Sequence, residues 1–204
     1  MAANRAGLIA QVQHCLSELQ KHVDRVTVQA LVDSLERCVF HCIRTDEFQG
    51  VVPLWALLER LERTPLPSAP EGRSLTEGER LRRQRLVAVR NAVGAVAAVS
   101  DLHSPLAKAR AFLRQSIATR TLAACVLAMV AEPRLLQPFF SQEAVLRSPD
   151  SAGAFLRLCA DVDRLEGLDL QPADGAALGI IPNWLARPPA RVASSASPPS
   201  EWQG

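Results

Sequence analysis

The chain has 204 residues, 48% of them apolar but only 4% aromatic, with no tyrosine and a formal charge of +2. At roughly 100–200 residues per domain that length implies one core plus tails, and the near-neutral charge rules out an overall field that gathers nucleic acid or anionic lipid. Leu, Val and Ala rather than large rings must then fill the core, which argues for helices and against a β-sandwich, since Leu and Ala are helix formers and strands draw on aromatic and β-branched residues.

Residues Met1 to Asn4 show no basic stretch leading into an apolar run, so no secretory leader is read there. The five cysteines, an odd number scattered through apolar patterns, read as reduced thiols of a cytosolic protein. From Gly7, the apolar residues Leu8, Val12, Leu16 and Leu19, with Val23 beyond, recur at helical spacing. A second helix, Val28 to about Ile43, is expected to put Leu31, Leu35, Val39 and Cys42 on one stripe, and the segment from Thr45 to Gly50 breaks the period. Pro53 suits the first turn of a third helix, where no backbone N–H is needed; Leu54, Trp55, Leu57, Leu58 and Leu61 form its buried face, with Trp55 as an anchor.

Between Thr64 and Gly78 three prolines and two glycines predict an exposed loop. A helix follows from Leu75 or Thr76 to about Val99, with Arg80, Arg82, Arg83 and Arg85 in its early turns and small side chains that let neighbours approach in its second half. Ser104-Pro105 opens a helix reaching about Ser116. Further helices are expected over Thr121 to Ala131, Leu135 to Phe140 and Ala152 to Leu165. The longest apolar stretches, Ala92 to Val99 and Leu122 to Ala131, fall short of the ~20 residues that a bilayer core requires. The Pro-, Ser- and Ala-rich end cannot bury enough apolar area to offset its ordering entropy. The expected architecture is therefore all-α: one compact bundle of about seven or eight helices over residues 1–178, with a loop at 64–78, and a disordered tail at 179–204.

Cys38, His41 and Cys42 lie close together, with His14-Cys15 upstream, but zinc sites draw on two separated ligand clusters and no second C-x-x-C or H-x-x-x-H occurs. The i,i+4 cysteines read as core thiols. No phosphate-binding glycine loop is present. Glu59 with Glu62, and Asp161 with Asp163, read as surface charge pairs beside arginines. The Arg80–Arg85 run lacks interleaved aromatics for base stacking and reads as a solvated face, with acidic lipid as a further ligand class. The run from Lys108 through Arg110 and Phe112 to Arg114 alternates cations with apolar residues, leaving a cationic edge for an acidic partner surface.

That run, Ser104-Pro-Leu-Ala-Lys-Ala-Arg-Ala-Phe-Leu-Arg114, resembles the central block of the RUN domain family, helical modules of adaptors in endosomal, lysosomal and autophagic traffic. Leu31 to His41 is similar to the family's Leu-x-x-x-Leu-Glu helix ending near a histidine, Leu54-Trp-Ala-Leu-Leu58 stands where its aromatic-Trp helix is usual, and Ala154 to Leu170 looks like its closing helix. Ala109 stands in place of the glycine often found between the two basic positions, and Leu54 in place of an aromatic. The resemblance implies a non-catalytic effector without cofactor or metal. It would bind a GTP-loaded small GTPase of the Rab, Rap or Arf-like group, with motor or tether proteins as further partners and no nucleic acid. It implies a cytoplasmic chain recruited to endosomal or lysosomal membranes through its partner, and a contact face at His41, Lys108 and Arg110, with Arg114 closing the same run. Because no coiled coil or FYVE-like cysteine cluster follows the helices, a shortened relative of longer adaptors is expected. The alternative is a helical scaffold that holds a peptide or motor whatever the nucleotide state.

Overall fold

The computed structural model describes residues 4–44, 53–69, 73–166, 168 and 170. Among them are eight α-helices: α1 (Arg5–Lys21), α2 (Arg25–Val39), α3 (Pro53–Arg63), α4 (Glu77–Ala97), α5 (Pro105–Ala118), α6 (Leu122–Val130), α7 (Pro133–Leu136) and α8 (Pro149–Arg164). A single 3-10 turn, Val145–Arg147, leads into the last of them. The all-α bundle is as expected. The break at 45–50, the boundary at 178 and the tail at 179–204 lie outside the described residues.

Short polar side chains set four of the helix starts, because each can take up a first-turn N–H that has no partner within the helix. Asn4 caps α1, Asp24 caps α2 through the Thr27 N–H at 2.8 Å, and Ser104 caps α5 through the Ala107 N–H at 3.0 Å. Thr76 and Glu79 exchange hydrogen bonds at the start of α4 in a capping box.

Several expected boundaries move, among them the starts of the second and last helices, which lie at Arg25 and Pro149 rather than Val28 and Ala152. The first helix stops at Lys21 and Val23 is 56% exposed, so Val23 leaves the buried face. The second stops at Val39; Cys42 adopts φ 55° in the turn beyond it, off the helical stripe that Cys38 occupies. Instead of a helix over Leu135 to Phe140, Pro133 starts one turn that ends at Leu136, and Phe139 and Phe140 enter the core from irregular chain. There the 139–141 strand of chain hydrogen-bonds the turn after α2: the Arg44 N–H donates to the Phe139 carbonyl at 2.8 Å and the Ser141 N–H to the Cys42 carbonyl at 3.0 Å.

The core corrects the expectation drawn from composition. Phe112, Phe139, Phe140 and Phe155 are among its largest fully buried side chains, with Phe40 also buried, so the phenylalanines among the described residues lie inside among the leucines. The loop after α3 is less exposed than its prolines suggest. Arg90 of α4 donates to the carbonyls of Glu62 and Thr64, both at 2.8 Å, and Leu66 packs on the core.

Candidate functional site

On α5, Ala107, Ala109, Phe112 and Leu113 are buried, which leaves Lys108, Arg110 and Arg114 half-buried along its flanks. At helical spacing Arg110 and Arg114 share a face while Lys108 points to a different one, and their contacts follow. The Lys108 ammonium lies 5.6 Å from the centroid of the Trp55 ring on α3, a cation–π distance. That ring is fixed in turn, its Nε1–H donating to Glu59 Oε1 at 2.7 Å. Glu59 thus has an internal role in place of the surface pairing expected of it.

Arg110 turns toward α2, where its Nε donates to both carboxylate oxygens of Glu36, at 2.9 and 3.1 Å. Glu36 is 1% exposed and the Arg110 side chain 13%. Burial pushes the Glu36 carboxyl above its ordinary value, opposed by the hydrogen bonds and charge of Arg110 and by the charge of Arg114. One turn further along α5, Arg114 donates to Gln29 of α2 at 3.2 Å, and its buried Nε has no acceptor among the described residues. Desolvation lowers the Arg114 pKa, yet a guanidinium keeps its charge across the physiological range.

His41 sits in the turn after α2, its Nε2 3.5 Å from Cys42 Sγ. On α3, exposed Arg60 lies over the Phe139 ring at 5.0 Å, beside the chain that pairs with the 42–44 turn. The expected residues therefore do not form one free cationic stripe. Lys108 belongs with Trp55 on the α3 side, Arg110 and Arg114 are bound to α2, and His41 lies at the end of that helix. The arrangement is a ledge built on α5, which meets α3 through Lys108 and Trp55 and α2 through Arg110 and Glu36, with cations held by aromatic rings and by one buried acid.

Glu36 and Arg60 were not among the expected site residues. Glu36 had a signal in the sequence: Val28, Val32 and Glu36 follow one another at four-residue steps on the buried face of α2, so a carboxylate there requires an internal cation. Arg60 had none, because its partner lies 79 positions along the chain.

The other candidates are also placed. Cys38 is fully buried and burial pushes its thiol up to about 12; Cys15 is buried with its sulfur 3.6 Å from Ser34 Oγ. Among the described residues no three His, Cys, Asp or Glu side chains come together as a metal site would require. On α4, Arg80 and Arg83 are exposed, while Arg82 pairs with Glu132 at 2.6 Å. Asp161 pairs with Arg164 on the surface as expected, but Asp163 does not. Its two oxygens accept the Leu122 and Ala123 N–H groups at 3.0 and 2.9 Å, capping α6 from another helix. No helix among the described residues is long and apolar enough to cross a membrane.

Compared with known proteins, residues 7–168 match the family model described as RUN domain, a span running from within α1 to just past α8. No curated protein matches the chain.

Proposed function

Because the chain belongs to the RUN domain family, interaction domains with an adaptor or effector role in small-GTPase signalling, we propose that it recruits a GTP-loaded Rab, Rap or Arf-like GTPase in endosomal, lysosomal or autophagic traffic. The contact is the ledge of α3, α5 and the end of α2. Lys108, His41 and Arg60 meet acidic groups of the GTPase, while Arg110 and Arg114 hold α5 in register against α2 and offer the exposed parts of their guanidinium groups.

The observation that carries this reading is the family match over residues 7–168. The chemistry agrees with it: the Lys108 charge is fixed over Trp55 before a partner arrives, so less side-chain freedom is lost on binding. A GTPase presents ordered switch segments only with its γ-phosphate in place, and a pre-ordered ledge discriminates by its differential contact with the two states. The work of the domain is recognition, not catalysis. In the cell, the chain is cytoplasmic and reaches membranes through its GTPase.

The test is binding of the purified chain to Rab, Rap and Arf-like GTPases in both nucleotide states, with Lys108→Glu as the variant. Arg110 is unsuitable for this purpose, because its removal leaves Glu36 buried without its hydrogen-bonded cation. GTP-selective binding that falls about tenfold or more in a Lys108→Glu variant of unchanged Tm is the expected result. Binding that ignores the nucleotide would instead favour the scaffold reading, and no binding across the panel would reject the effector reading.

A further inference from the structure

A groove of about 430 Å³ opens between the end of α6, α7, the 3-10 turn and the start of α8. It shares no residue with the ledge. Val130, Pro133, Pro149 and Leu156 present its accessible apolar surface, with Leu136 and Leu146 buried as its floor, and Arg134 and Arg147 are the charged residues along it. No acidic side chain lines it. Arg134 is exposed and makes no ion pair among the described residues. Arg147 is fixed by Nη1, which donates to the Phe140 carbonyl at 3.0 Å, so the rest of its planar fork is held in one orientation. The Glu143 carboxyl is held below its ordinary value chiefly by a hydrogen bond from Ser141, with the Arg147 charge a minor contributor, and it does not line the groove.

Gly153 lines the groove from within α8, and a Cβ built on it would meet nothing within 4 Å. A glycine inside a helix is destabilising relative to alanine, and here no neighbour requires it. Its effect is to leave the space above the helix open. Side chains at this position would extend into that space.

We propose that this groove is a second docking site, which takes a segment of a partner protein carrying an aliphatic side chain next to Asp or Glu. Leu156, Val130 and Pro133 receive the aliphatic group and the two guanidinium groups take the carboxylate, whose planar geometry matches an oriented arginine fork. A chain with this groove and a separate ledge joins two partners at once, which is what an adaptor does. The proposal stands independently of the GTPase reading.

The probe is a fluorescein-labelled peptide, Glu-Leu-Asp-Glu-Leu-Leu, set against its neutral analogue, Gln-Leu-Asn-Gln-Leu-Leu, with binding followed by anisotropy on the full chain. The variants are Gly153→Leu, which fills the groove, Arg134→Glu, which reverses its charge, and Lys108→Glu as a control outside it; thermal unfolding confirms that each is folded. Saturable binding of the acidic peptide is expected, weakened about tenfold or more in the neutral analogue, in Gly153→Leu and in Arg134→Glu, and kept in Lys108→Glu. No binding up to about millimolar peptide, or equal binding by Gly153→Leu, overturns the proposal. So does binding to phosphatidylserine vesicles, without peptide binding, that is lost in the same two groove variants; that result would give the groove to lipid. Loss of GTPase binding in Lys108→Glu with peptide binding intact separates this site from the ledge.

Discussion

Glu36 occupies a position on α2 where the Val28 and Val32 spacing calls for an apolar side chain, and Arg110 is what makes it tolerable there. A buried ion pair contributes little net stability, but removing one partner strands the other charge. Arg110→Ala is therefore expected to destabilise the chain by about 3–5 kcal/mol in urea unfolding. Combining Arg110→Met with Glu36→Gln should recover most of that loss, since neither residue then carries a charge into the interior. A double variant as unstable as Arg110→Ala would show that the pair's own geometry, not the stranded charge, matters. The cysteines give a second expectation. Burial pushes Cys38 up to about 12 and Cys125 up to about 11, and it also holds Cys159 well above its ordinary value, so their thiolates are scarce at neutral pH as well as shielded. Cys42 is half-buried. Brief alkylation of the folded chain, mapped by peptide mass, should modify Cys42 before Cys38, Cys125 or Cys159.

α6 is almost wholly apolar and Thr121, in its N-cap position, makes no side-chain capping bond. Asp163 of α8 supplies that cap instead, so two helices are joined by hydrogen bonds as well as by packing. Asp163→Ala is expected to cost about 1–2 kcal/mol, the range for losing an N-cap. Burial is the largest influence on the Asp163 carboxyl and raises it, against the two backbone N–H groups that lower it. The folded state then holds this proton more tightly than the unfolded one. The titration contributes stability that is fully present below the ordinary value of 3.8 and is lost as pH rises through the higher folded value. The stability advantage of the native chain over Asp163→Asn should accordingly shrink as pH rises above the ordinary value of 3.8. An advantage that grows as pH rises would mean the N–H groups outweigh burial.

Across the whole molecule, the rings link regions that are remote in the sequence. Phe139 and Phe140 are fully buried, and the irregular chain bearing them hydrogen-bonds the turn after α2, which carries His41. Phe140→Ala is expected to cost about 3–5 kcal/mol in thermal unfolding and to speed amide exchange at Ile43 and Arg44; unchanged exchange there would uncouple the ring from the ledge. The helices themselves were legible from the sequence, because the spacing of Leu, Val and Ala reports which face of a helix avoids water, and Thr76 and Ser104 marked two of the starts; the Asn4 and Asp24 caps, which start the first two helices ahead of Gly7 and Val28, were not read. The RUN resemblance was legible for the same reason, as it rests on contiguous motifs. The partner of each polar group was not. Arg110 meets a carboxylate 74 positions away and Asp163 caps a helix 41 positions away. Local periodicity shows how a side chain is turned about its own helix axis. Which residue it then touches depends on the crossing and distance of two helices, and those exist only once the whole chain has packed.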